Sequence, residues 1–90
     1  LALNDRNKSK YSLDQETTTF GKANYVTVPV GGFFVSKLQA KIIKEGEAFT
    51  LFNLGRKDKT KVNGEPINSV TLKNGDIIEV GKSIFRFIEG

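Results

Sequence analysis

The sequence predicts an all-β domain, an antiparallel β-sandwich of two packed sheets, and three observations carry that expectation. Short β-branched or aromatic runs recur between clusters of Gly, Asn, Asp and Lys, at roughly the 8–12-residue spacing of a sandwich or barrel. Within several runs the apolar side chains stand two apart, as in Ala40 and Ile42, Phe49 and Leu51, Ile78 and Val80, and Phe85 and Phe87. That is the period of a sheet with one buried face. Helical periodicity, internal repeats and low-complexity tracts are all missing.

Taken in order, strands are expected over Leu1–Asn4, Tyr11–Leu13, Thr17–Phe20 and Val26–Val30. Further strands are expected over Gln39–Lys44, Ala48–Asn53, Lys61–Val62, Val70–Leu72, Asp76–Val80 and Ser83–Ile88. The turns between them have local causes. Glu45-Gly46-Glu47 places a glycine where a hairpin needs a positive φ. Asn63-Gly64 and Asn74-Gly75 are strong short turn signals, and Gly81-Lys82 joins two apolar runs into a last hairpin. Pro29 lacks the N–H a central strand would donate, so its strand belongs at an edge.

Ninety residues suffice for one hydrophobic core, so residues 1–90 are expected to form a single domain. The chain begins without Met and contains none, which suggests a piece of something longer. With no Cys, His, Trp or Met, folding must rest on burying Phe, Ile, Leu and Val. The absence of His and Cys removes the commonest general base, thiolate nucleophiles and the usual zinc ligands, so no catalytic residue, metal or cofactor is expected. No apolar run is long enough to span a membrane, and the N-terminus shows no signal-peptide core. Lack of cysteine fits a reducing compartment, and an intracellular location is expected, cytoplasmic or, in a eukaryote, nuclear. The net charge of +4 has two readings: a solvated lysine-rich surface, which charge alone favours, and a surface for phosphate or other anions.

From Phe20 onward, several blocks occur in a telling order. They are Phe20-Gly21-Lys22, Val28-Pro29-Val30, Val35-Ser36-Lys37-Leu38-Gln39-Ala40-Lys41-Ile42, Asn53-Leu54-Gly55, Val62-Asn63-Gly64 and Leu72-Lys73-Asn74-Gly75-Asp76-Ile77-Ile78-Glu79-Val80-Gly81. In this order and spacing the sequence resembles the forkhead-associated (FHA) family, β-sandwiches of the FHA/SMAD-like type that read phosphothreonine in partner proteins. The first 19 residues fit the family's opening strands by length and pattern.

The resemblance implies a phosphopeptide-binding set of Lys22, Ser36, Lys37, Arg56, Lys57, Asp58, Lys59 and Thr60, supported by Gly21, Gln39, Asn63 and Gly64. Lys22 stands where the family has Arg, keeping the charge but losing the planar fork that clasps phosphate. Ser36 and Thr60 match the family, and Lys37 occupies its neighbouring basic position. Gln39 replaces a His that braces the binding loops, a task an amide can perform. Asp58 falls where the family's peptide-holding Asn belongs, so a group that only accepts hydrogen bonds replaces one that also donates. Lys59 replaces a Gly. Arg56 to Lys61 carries four positive charges against one negative, read either as a solvated loop or as an anion-binding one. Phe33-Phe34 has two readings, as exposed aromatic surface beside the site or as buried loop packing.

The leading expectation is therefore a non-catalytic protein-interaction module that binds a phosphothreonine-bearing segment with modest affinity. The alternative keeps the fold and drops the phosphate, using a sheet face or the Phe33-Phe34 region to bind protein. Nucleic-acid binding ranks below both, because no RNA-reading signature is present. Enzymatic activity ranks last.

Overall fold

A computed structural model describes residues 2–5 and 9–89. Among the described residues there are eleven strands: β1 Ala2–Asp5, β2 Lys10–Ser12, β3 Thr17–Gly21, β4 Val28–Pro29, β5 Ala40–Glu45, β6 Ala48–Asn53, β7 Thr60–Val62, β8 Glu65–Pro66, β9 Ser69–Thr71, β10 Ile77–Val80 and β11 Ser83–Ile88. They form a six-stranded sheet in the order β2-β1-β11-β10-β7-β8 and a five-stranded sheet in the order β4-β3-β5-β6-β9. Two packed, mostly antiparallel sheets are thus the architecture, and no helix occurs among the described residues.

The inward faces are the ones the alternation marks. Ala40, Ile42, Phe49 and Leu51 point in from one sheet and Ile78, Val80, Phe85 and Phe87 from the other, all of them buried. Aromatic contacts tie the layers together. Phe20 meets Phe85 edge-on at 5.6 Å between ring centroids, and Phe49 meets Phe87 at 5.5 Å, within the range where such pairs add to simple burial. Leu3 completes the same cluster from β1.

The differences from expectation lie in the shortest elements. Only Val28 and Pro29 of the expected Val26–Val30 strand pair, and they run parallel to β3, with Phe20 opposite Val28 and Gly21 opposite Pro29. This is the one parallel pairing among the described strands of an otherwise antiparallel sandwich. The connection from β3 to β4 is held by side chains, as Thr19 and Thr27 exchange backbone-to-hydroxyl bonds of 3.2 and 2.9 Å. β4 does lie at a sheet edge, where the missing proline N–H costs no ladder bond. β8 has no counterpart among the expected strands. It follows from the Asn63-Gly64 turn, whose φ values of 51° and 86° are those of a tight hairpin. Strand ends otherwise shift by a residue or so, and Leu1 of the first expected strand lies outside the described residues.

Of the seven Phe residues, Phe20, Phe49, Phe85 and Phe87 are buried, while Phe33 and Phe34 are exposed. Those two sit in the long β4–β5 connection at one end of the sandwich, beside the loop between β6 and β7.

Candidate binding site

The site is built on a buried glutamine. Gln39, with 0% exposure, enters β5 and is held by its own backbone: its N–H donates to the Phe20 carbonyl, and its carbonyl accepts from Leu54 and Gly55 N–H. Its side chain then binds the loops together. Oε1 accepts from Ser36 N–H at 3.0 Å and Arg56 N–H at 3.1 Å. Nε2 shares its two hydrogens among the Arg56 carbonyl at 2.8 Å, Asn53 Oδ1 at 2.9 Å and Thr60 Oγ1 at 3.0 Å. A five-bond hub of this kind satisfies every polar atom it buries, so it rigidifies the loops without a desolvation penalty left over.

The hub sets where Ser36 points. Its Oγ accepts from Arg56 N–H at 3.2 Å, which leaves the hydroxyl hydrogen without an acceptor among the described residues and able to donate outward. Gly55 makes the approach of the two loops feasible, since a Cβ there would overlap the Ser36 side chain and Gln39 Oε1. Gly21 does the same on the other side, where a Cβ would run into the Lys37 carbonyl. Lys22 is joined to this centre through its N–H, which donates to the Ser36 carbonyl at 3.3 Å.

Basic residues adjoin Ser36 through the backbone: Lys37 follows it in the chain, Lys22 N–H bonds its carbonyl and Arg56 N–H bonds its Oγ. Lys22 and Lys37 are exposed and line one cleft of about 590 Å³ together with Val35 and Tyr25. Arg56, Lys57 and Asp58 are exposed on the facing loop, which turns through a bond from Lys59 N–H to the Arg56 carbonyl. Arg56 Nε lies 3.9 Å from Asp58 Oδ1 with both side chains more than half exposed, a contact worth little against solvent. The Arg56 guanidinium also sits 5.1 Å above the Phe34 ring. Phe33 and Phe34 are 76% and 70% exposed, so of the two readings for this pair the exposed one holds.

Two expected members take other places. Thr60 has 0% exposure and its hydroxyl donates to Asn53 Oδ1 at 2.9 Å, so it braces the loop from inside and has no surface to offer a ligand. Asn63 and Gly64 form the β7–β8 turn, where Asn63 Oδ1 accepts from Ile77 N–H and Nδ2 donates to Asp76. They support the start of β10 instead of the loops that carry the cations. Two residues that the sequence did not mark belong here. Asn53 bridges Gln39 and Thr60, and only its place in the Asn53-Leu54-Gly55 block hinted at this. Lys82 approaches Phe33, with Nζ 5.8 Å from the ring centroid, a pairing of distant segments that no local pattern reveals.

The sandwich thus braces two loops around a half-buried serine with Lys22, Lys37 and Arg56 next to it. The FHA domain model matches residues 18–81, and the chain belongs to that family. An oxoglutarate dehydrogenase inhibitor from Corynebacterium jeikeium is 35% identical over 82 residues, which are 91% of this chain and 57% of that protein. The glycogen accumulation regulator GarA of Mycolicibacterium smegmatis is 34% identical, over 91% of this chain and 52% of its own length. The chain thus spans about half the length of the curated relatives it matches. Among solved structures, Mycobacterium tuberculosis EmbR in complex with a low-affinity phosphopeptide aligns with a TM-score of 0.89 at 26% identity, over 97% of this chain and 24% of that one. The FhaA FHA domain complexed with the intracellular domain of Rv3910 aligns at 0.84 and 23% identity, over 94% and 96%. The domain is an interaction module of this family and not an enzyme. No helix among the described residues is long and apolar enough to cross a membrane.

Proposed function

We propose that the domain captures a phosphothreonine segment of a partner protein at Ser36, between Lys22 and Lys37 on one side and the Arg56–Lys59 turn on the other. The observation that carries this reading is the orientation of Ser36. Its Oγ is fixed by Arg56 N–H while Gln39 holds both backbones, so one donor is presented amid cations before any ligand arrives. Preorganisation of this kind lowers the ordering cost of binding. Phosphate then gains charge-assisted hydrogen bonds from the lysines and Ser36, and the turn is placed to contact the peptide backbone.

The site departs from the family at two contacts. Lys22 donates to phosphate from a single point instead of a fork, and Asp58 sets a carboxylate near an anionic ligand. Forfeiting one charge-assisted bond of about 1.5–3 kcal/mol lowers affinity roughly ten- to hundredfold, so binding is expected to be modest. Exposed Phe33 and Phe34 support a second reading, in which the same end of the sandwich binds protein without phosphate. Relatives that are bacterial regulators favour action on a protein partner in the cytoplasm. Calorimetry with matched threonine and phosphothreonine peptides separates the readings. The phosphate reading expects binding of the phosphorylated form alone and its loss in Ser36→Ala. Equal binding of both forms, unchanged in Ser36→Ala, would leave the second reading.

A further inference from the structure

Among the described strands each sheet has two edges, where outward-turned backbone groups are free to pair with another strand. Three of these four edges are closed by the residue that faces out. At β4 the bond from Val30 N–H to the Gly21 carbonyl turns Pro29 outward. At β8 the bond from Ile67 N–H to the Thr60 carbonyl does the same for Pro66. Proline offers no N–H to an incoming strand. At β2 the bond from Asp5 N–H to the Ser9 carbonyl leaves Lys10 facing out, and an exposed lysine resists edge-to-edge pairing.

The fourth edge, β9, is open. Asn53 N–H donates to the Asn68 carbonyl and Leu72 N–H to the Phe49 carbonyl, both at 2.8 Å. The residues that bond to β6 therefore alternate through Val70, opposite Leu51. Ser69 and Thr71 direct their N–H and C=O groups away from the sheet, and both residues are exposed. Neither makes another hydrogen bond among the described residues. Val70 and nearby Ile67 are only partly buried against the core, which leaves apolar surface beside the open edge.

This edge is complementary to itself. A two-fold axis through Val70 sets Ser69 opposite Thr71 of the second copy, and Thr71 opposite its Ser69, each pair exchanging two backbone hydrogen bonds. Val70 then meets its own counterpart in the close, non-hydrogen-bonded position, where a β-branched side chain packs well. We infer that β9 is a homodimer edge, at which a second copy of this chain extends the five-stranded sheet in antiparallel register centred on Val70. No residue of β9 belongs to the set around Ser36, so the inference stands apart from what that site binds. A three-residue edge buries little surface, so the association is weak and concentration-dependent.

The test is sedimentation equilibrium, with amide shifts followed over a dilution series from about 1 mM downward, on the wild-type chain, Thr71→Pro and the double variant Ser69→Lys/Thr71→Lys. The wild type should show a monomer–dimer equilibrium, with its concentration-dependent shifts centred on residues 68–72. Thr71→Pro removes an outward N–H that the fold does not use, and the double variant sets like charges across both pairs, so each should stay monomeric. Mixing that double variant with Ser69→Glu/Thr71→Glu should restore a dimer, roughly two- to thirtyfold tighter than the wild type. A wild-type monomer at every concentration, whether the β9 amides are free or covered by another segment, would overturn the inference. A dimer that survives both variants, or whose shifts lie on the sheet faces or the Ser36 loops, would overturn it too.

Discussion

On the proposed reading, Ser36, Lys22 and Gln39 divide the work of this site between presenting a donor, supplying charge and holding both in place. The division predicts different signatures for each residue. Lys22→Arg restores a planar fork, and phosphopeptide affinity is expected to rise about tenfold in calorimetry, the equivalent of one charge-assisted bond near the low end of its range. Gln39→Leu keeps much of the volume but leaves Ser36 N–H without an acceptor among the described residues, while Arg56 N–H, the Arg56 carbonyl, Asn53 Oδ1 and Thr60 Oγ1 each lose one bond and keep another. One unsatisfied buried group costs about 1–3 kcal/mol, so urea unfolding should show a loss of that order. A loss below about 1 kcal/mol would show that the hub is dispensable. Motif position alone placed Gln39 as a brace, and in the structure its side chain makes five hydrogen bonds to the surrounding loops. The same motif placed Thr60 among the ligand contacts, whereas its side chain points inward. Position in the chain fixes which loop a residue joins, but the side a short strand turns to the core depends on the partner strand.

At the scale of elements, the six-residue strands were legible, the three-residue ones to within a residue, and the two-residue ones were not. Ala48–Asn53 and Ser83–Ile88 appear with the bounds their alternation implies, because six residues show a period of two clearly. β4 and β8 have two residues each, too few to show any period, and their pairing is decided by neighbouring strands and the Asn63-Gly64 turn. The loops are bound to one another by close backbone approach, and that contact is testable. Gly55→Ala introduces a Cβ where Ser36 and Gln39 now sit, so it should both destabilise the fold and weaken phosphopeptide binding. The same exchange at Gly46, an open hairpin position whose added Cβ meets nothing within 4 Å, should leave binding unchanged and cost only the strain of its φ of +61°. Equal binding losses at the two glycines would argue that loop contact does not shape the site. Lys82 belongs to this scale as well, since bonds from Gly81 N–H to the Lys59 carbonyl and from Lys82 N–H to the Gly31 carbonyl hold the last hairpin against two loops.

For the whole molecule, the charge and the composition set how binding responds to solution conditions. The chain has no histidine, the side chain that ordinarily titrates between pH 5 and 8. A phosphothreonine takes up its second proton near pH 6 and then carries less charge. Affinity is therefore expected to fall as pH drops from 7 towards 5.5, with uptake of a proton by the ligand, and rising salt should weaken it further. A plain threonine peptide should show neither trend. On its own the net charge of +4 favours a solvated surface, and it is the position of Lys22, Lys37 and Arg56 next to Ser36 that supports an anion site.

The central claim is that one end of this sandwich reads phosphate, and amide chemical-shift mapping tests it most directly. With a phosphothreonine peptide at low salt, the account expects shifts concentrated at Lys22, Ser36, Lys37 and Arg56–Lys59, absent with the unphosphorylated peptide and lost in Ser36→Ala. Equal shifts with both peptides, or shifts confined to the outer faces of the sheets, would contradict it.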